Sequence, residues 1–354
     1  MQRQSDVDMN KISGRDVLAG AIAFHNHRIE PTMTLQPVTF VSAFIASLFL
    51  FWLPGDRADA LNLEAGLEPV IHRPNQTVKS AGVVLQDLAK AEVVYLAETH
   101  DRPEDHQAQL YILQKLHQLR PNLAIALEMF QRPYQPAIDR YLAGDSSEAE
   151  LQSQTQYPKR WGYPWEFYAP ILRFAKAQKL PVVALNTPTE ITRKVSRTGL
   201  DSLTLAEKQW IPPKSAIRLG PEAYRQRIRQ IYDEIHAGSG SSTNFEKFFL
   251  AQVLWDETMA DRIASTLQKR PDRLIVVLVG QGHVLYGDGI PNRVARRAGT
   301  NGFLRRPLRQ RSVLLNPTKK MQEERNIAIR ETLAKLSTGL PSGIADYFWH
   351  TVSR

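Results

Sequence analysis

Hydrophobic residues along this chain fall into short continuous runs, separated by stretches where they recur every three or four positions. Four runs have strand length: Val93–Ala97, Leu123–Leu127, Pro181–Leu185 and Leu274–Val279. None alternates apolar with polar, which is the pattern of strands covered on both faces in a parallel sheet. Between them, Leu110, Leu113 and Leu116 recur at helical spacing, as do Trp165, Tyr168, Leu172 and Ala175. The segment Phe245 to Ile263 carries Phe248, Phe249, Leu254, Trp255 and Met259 on one broad face. Strands alternating with helices predict an α/β domain, mainly a parallel sheet flanked by helices with right-handed crossovers. The stretch 200–270 is too long for one crossover and predicts a helical cap or subdomain. Ser312–Leu315 and Asp346–Trp349 read as added edge strands. The expected organisation is an address segment with an N-terminal extension over 1–60, a lead-in linker over 61–82, the α/β domain over 83–316, and a C-terminal helix and tail over 317–354.

Val38 to Leu53 is apolar and uncharged, Pro54-Gly55 ends it, and Ala58-Asp59-Ala60 supplies small residues at signal-peptidase spacing. The run is short for a spanning helix and matches a signal-peptide core. A long extension precedes it, and Met33 is an alternative start to Met1. The expectation is export to a periplasm-like compartment, or retention as a membrane anchor facing it. Zero cysteines exclude disulfides, Cys-ligated zinc, iron–sulfur clusters and thiol nucleophiles.

The net charge of +9 belongs to the body, because residues 1–60 carry 5 Lys/Arg against 6 Asp/Glu. From Gly289 to Gln322 there is no acidic residue, while Arg293, Arg296, Arg297, Arg305, Arg306, Arg309 and Arg311 all occur. Such a stretch is either a solvated basic face or a patch for carboxylates of a cofactor, another small anionic ligand, or a membrane surface. No nucleic-acid fold signature accompanies it, so sequence-specific nucleic acid binding is not expected.

In an open parallel sheet the ligand site lies beyond the carboxyl ends of the strands. Glu98, Thr99, His100 and Asp101 follow the first run, Glu128 the second, Asn186 and Thr187 the third, and Gly280-Gln281-Gly282-His283 the fourth. Singly, each reads as a helix cap or turn residue. Together, Glu98, His100, Glu128 and His283 are candidates to hold a divalent metal ion or to act as a general base with orienting partners. His106 shares a helical face with Leu110 and Leu113, so ligand and core-margin readings stand equally. The aromatic stretch from Trp161 to Tyr168 is either a flat wall for a planar ligand or a packed helix face. Tyr163, in its Gly/Pro turn, is the member best placed for a ligand. Phosphate-loop, nucleophile-elbow and His-Glu-x-x-His motifs are missing.

The segments VVYLAETHDRPEDHQAQLYILQKL, ALEMFQRPYQPAIDRYLAG, RWGYPWEFYAPILRFAKAQKLPVVALN, QVLWDETMADRIASTL and VLVGQGHVLYGDGIPNRVARR, in that order, resemble the ChaN-like haem-binding uptake family, within the superfamily of Tiki proteases and erythromycin esterases. The resemblance spans roughly 80–315 and is carried by Glu98 and His100, His106, Glu128, Asn186 and His283. Where that family has Gly before its first glutamate, this chain has Ala97, which is expected to restrict backbone approach to a ligand. The resemblance implies an exported haem carrier of iron uptake, with a Tyr or His axial ligand, aromatic walls and Arg near the propionates. Tyr163, Tyr286, Asn186, His106 and Arg293 are the residues it nominates toward haem, and a homodimer is compatible with it. The alternative it implies is a metal- or Glu/His-dependent hydrolase of esters or peptides using the same rim.

Overall fold

The computed structural model describes residues 70–72, 80–236, 244–318 and 343–351. In chain order the elements are β1 (Val70–His72), α1 (Ala81–Ala89), β2 (Val93–Glu98), α2 (Pro103–Leu119), β3 (Leu123–Gln131), α3 (Gln135–Ala143), α4 (Glu148–Thr155), α5 (Tyr157–Arg160) and α6 (Trp165–Ala177). They continue with β4 (Val182–Asn186), α7 (Thr189–Thr198), α8 (Leu205–Lys208), α9 (Glu222–His236), α10 (Phe245–Lys269), β5 (Leu274–Gly280), α11 (Ile290–Ala298), β6 (Gln310–Leu315) and β7 (Tyr347–His350). The strands form one sheet in the order β1-β7-β6-β2-β5-β3-β4, parallel except for the antiparallel pairing of β1 with β7. The α/β class read from the sequence is the observed one.

Strand alternation sends successive side chains to opposite layers. Val94, Leu96, Ile125, Leu127, Val276 and Leu278 pack with α1, α2 and α6 on one face. Val93, Tyr95, Ala97, Ile275, Val277 and Val279 pack with α10 and α11 on the other. Every residue of β2, β3 and β5 is buried, which explains the continuous apolar runs. At roughly 1.5–3 kcal/mol for each fully buried large aliphatic side chain, these three strands anchor the fold.

Two expectations need correction. Met259, Ala260, Ile263 and Leu267 of α10 line the core of the second layer, so the later part of 200–270 is a sheet-covering helix rather than a cap. Neither β6 nor β7 is an edge strand, since β7 separates β6 from β1. The strand read at Asp346–Trp349 is observed at 347–350, while a C-terminal helix and the apolar run 38–53 fall outside the described residues. At the far end of the sheet β4 is the true edge, and a side chain caps it. Gln135 Nε2 donates to the Val182 carbonyl and its Oε1 accepts from Ala184 N–H, each at 2.8 Å, imitating one rung of a neighbouring strand.

Candidate functional site

Glu98 ends β2 on the layer of α2 and α6, and its carboxylate is fully enclosed. Oε1 accepts from Tyr168 Oη at 2.6 Å and faces His100 Nδ1 at 2.7 Å. Oε2 accepts from Gln109 Nε2 at 2.5 Å and lies 3.4 Å from His106 Nδ1. Burial alone would raise its pKa. The charge of His106 and hydrogen bonds from both imidazoles outweigh that and hold the carboxyl well below its usual range.

The two imidazoles attached to Glu98 differ in what remains of them. His106 Nε2 is engaged by the His100 carbonyl at 3.0 Å and its ring stacks on Phe167 at 4.8 Å. Burial opposes its protonation, but Glu98 outweighs burial and the pKa rises. Both ring nitrogens face protein atoms, so the core-margin reading of His106 fits and the ligand reading does not. His100 is equally buried, yet its Nε2 has no hydrogen-bond partner among the described residues. Its ring lies against Trp161 (4.6 Å) and Tyr163 (5.0 Å) and over the backbone of Gly280. An imidazole whose Nδ1–H is turned to a carboxylate leaves its Nε2 as the atom that can accept a proton or a ligand.

Register brings the neighbouring strand end to the same place, because Glu98 pairs with Gly280. Glu128 directly follows Leu127, so strand alternation turns it to the opposite layer. Beyond Leu127 the strand becomes irregular: Leu127 pairs with Ala184 and Gln131 with Asn186, so β3 uses more residues than β4 over that span. Glu128 Oε2 accepts from Gly280 N–H at 2.7 Å, and Oε1 sits 3.4 Å from His283 Nε2. On its other side His283 Nδ1 meets Asp256 of α10 at 2.5 Å. Asp256 also accepts from Tyr224 Oη at 2.8 Å. Burial alone would lower the His283 pKa, but the two carboxylates flanking it raise it to about 10. The flanking carboxylates thus favour the protonated imidazole, and that arrangement is suited to holding Glu128 in place.

The four residues named for a metal thus form two pairs, Glu98–His100 and Glu128–His283, from opposite layers. They approach each other at Gly280. Among the described residues no group of three or more His, Asp or Glu side chains is arranged to hold a metal ion, because the carboxylate oxygens face protein donors. Asn186 reaches the same edge, but its Oδ1 accepts from Thr187 N–H at 2.8 Å, and Thr187 Oγ1 is buried without a partner among the described residues. Arg293 is buried. It donates to the carbonyls of Asp288 (2.8 Å) and Gly289 (2.9 Å) and lies 3.7 Å from Asp256, so it buttresses the His283 cluster instead of facing a ligand. Tyr286 belongs to the opposite layer, with a left-handed φ of 58° and the Arg227 guanidinium 4.4 Å from its ring centre.

Tyr163 stays with the rim. It is half-buried between the exposed Gly162 and Pro164, with its ring 5.5 Å from that of Trp161. Burial, then the charges of Asp101, Glu128 and Glu98, push its phenol pKa well above the ordinary value. The Trp161 indole ring lies 6.2 Å from that of Tyr168. Ala97, expected to crowd the site, points its methyl into the opposite core with Tyr95 and Val279, away from Glu98. Asp256 and Gly280 carry weight that the apolar runs do not assign. The one visible signal for Asp256 is an acid inside an otherwise apolar helix stretch.

The class defined by this arrangement is an α/β protein with a polar rim and an aromatic wall beyond the carboxyl ends of a parallel sheet. The chain belongs to the haem-binding uptake family of ChaN within the Tiki superfamily, whose sequence profile matches residues 84–294. It is similar to a ChaN of Campylobacter jejuni described as binding haem cofacially, with 17% identity over 81% of this chain and 98% of that one, at a TM-score of 0.58. An erythromycin esterase in its open conformation aligns at 13% identity over 71% of this chain and 76% of that one, with a TM-score of 0.40. In sequence it resembles Protein RETICULATA-RELATED 5, chloroplastic, of Arabidopsis thaliana, 24% identical over 80% of this chain. The match spans 37% of that relative's length.

Proposed function

We propose that this protein is an exported or membrane-anchored haem carrier that binds haem against the aromatic wall of the rim, with Tyr163 as the iron ligand. The observation that carries the reading is the pairing of a half-buried phenol with a buried imidazole 5.0 Å from it, beside Trp161, in a chain of a haem-binding family. A planar macrocycle gains dispersion and stacking contact on such rings, and a phenolate suits ferric iron. With its pKa raised, the phenol holds its proton in the free protein. With haem bound, Tyr163 would supply a phenolate ligand and His100, oriented by Glu98, would be the nearby acceptor for its proton. Titrating purified protein with ferric haem tests the proposal: a saturable Soret shift with a defined stoichiometry is expected, and a linear, non-saturable response contradicts it.

A second reading rests on the Glu98–His100 pair alone. An imidazole oriented by a carboxylate, with a buried unpartnered Nε2, is the arrangement of a general base acting on water at an ester or peptide carbonyl. Hydrolysis of such substrates that disappears in His100→Ala supports it; activity unaffected by that change removes it.

A further inference from the structure

The basic residues that the sequence gathers in 289–322 separate in three dimensions. Arg293, Arg296 and Arg297 all turn inward to Glu257. Arg306 and Arg309 instead join cations from other loops at the amino ends of the strands, the edge opposite the rim. Arg120 donates to the Ala91 carbonyl at 2.6 Å and the Asp272 carbonyl at 2.8 Å, and Arg273 donates to Asn122 at 3.1 Å. Arg306 pairs with Glu92, which also accepts from Arg309 N–H at 2.9 Å. Lys90, Arg270 and Arg309 are exposed around them. The carboxylates among these groups are Glu92, buried under Arg306, and Asp272. Burial first, and then the charge of Arg309, lowers the Arg120 pKa; burial and Arg270 do the same to Arg273, so these cations crowd one another. Leu119 stands 42% exposed beside Arg120.

We propose that this edge is a docking surface for a bilayer rich in anionic phospholipid. Lys90, Arg120 and Arg270 also cap the carboxyl ends of α1, α2 and α10, where a cation offsets the helix dipole. Arg306 and Arg309 sit at no helix end, so that role leaves part of the cluster unexplained. Cations around an exposed leucine match the interfacial combination of electrostatic attraction and shallow apolar insertion, which a nucleic-acid groove does not require. Docking by this edge leaves the rim turned away from the membrane.

The test compares the full-length chain on vesicles of phosphatidylcholine alone and with phosphatidylglycerol, since the apolar run 38–53 contributes equally to both. Partitioning should favour the anionic vesicles by about ten-fold or more, and the preference should shrink in high salt. It should collapse in Lys90→Gln/Arg270→Gln/Arg309→Gln but survive in Lys159→Gln/Lys208→Gln/Arg218→Gln, with circular dichroism confirming that both fold. Equal partitioning, a preference that persists in the first variant, or tighter retention on duplex DNA than on anionic vesicles at the same salt overturns the proposal.

Discussion

The ring of His100 rests on the backbone of Gly280 so closely that a Cβ there would stand 3.0 Å from both Cε1 and Nε2. The same Cβ would lie 3.6 Å from Glu128 Oε2. Gly280 is thus the point where the two carboxylate–imidazole pairs from opposite layers approach each other, and its lack of a side chain is what permits it.

Gly280→Ala should therefore push His100 off Glu98 or into Trp161. Overpacking of this kind costs about 1–3 kcal/mol. Denaturant unfolding should show a loss in that range, together with weakened haem binding. Unchanged binding and stability would mean that the His100 ring has room the structure does not give it.

His283→Gln should be more damaging, because it leaves Asp256 and Glu128 buried without their shared cation. Breaking a buried ion pair in this way costs about 3–5 kcal/mol. The folded-state pKa of His283 is raised to about 10 from 6.5, so its contribution is complete below pH 6.5 and is lost as pH rises through 10. Wild-type stability should accordingly fall toward that of the variant between those limits, measured by thermal unfolding across the pH series. A difference between the two that stays constant from pH 6.5 to 10 contradicts a buried imidazolium.

At the sheet edge, Gln135→Ala uncovers the Val182 carbonyl and the Ala184 N–H. Leaving a backbone donor and acceptor less well satisfied should cost about 1–3 kcal/mol in chemical denaturation. It should also promote self-association by strand pairing, read by light scattering. Retained solubility with unchanged stability argues that the amide rung is dispensable.

Much of this site is legible in the amino-acid order. Continuous apolar runs locate β2, β3, β4 and β5, and the residues after them reach one edge because parallel strands share a direction. Plain alternation also turns Glu98, two residues beyond Leu96, to the first layer and Glu128, one residue beyond Leu127, to the opposite one. Chain order does not reveal the β3 irregularity beyond Leu127. Nor does it reveal Asp256, which reaches His283 from a helix 27 residues away. Arg293 looks available in a basic stretch and proves buried, since its partners Asp256 and Glu257 are supplied by α10. The strand order around β7 depends on β1, a three-residue strand without a pattern of its own.

Tyr163 and Tyr286 lie on different layers of the same rim, and only Tyr163 neighbours His100 and Trp161. Ferric-haem titration of Tyr163→Phe beside Tyr286→Phe is thus the most direct measurement. The account predicts that the Soret shift and the phenolate charge-transfer band vanish in the first and persist in the second. Wild-type spectra and affinity in Tyr163→Phe would contradict it.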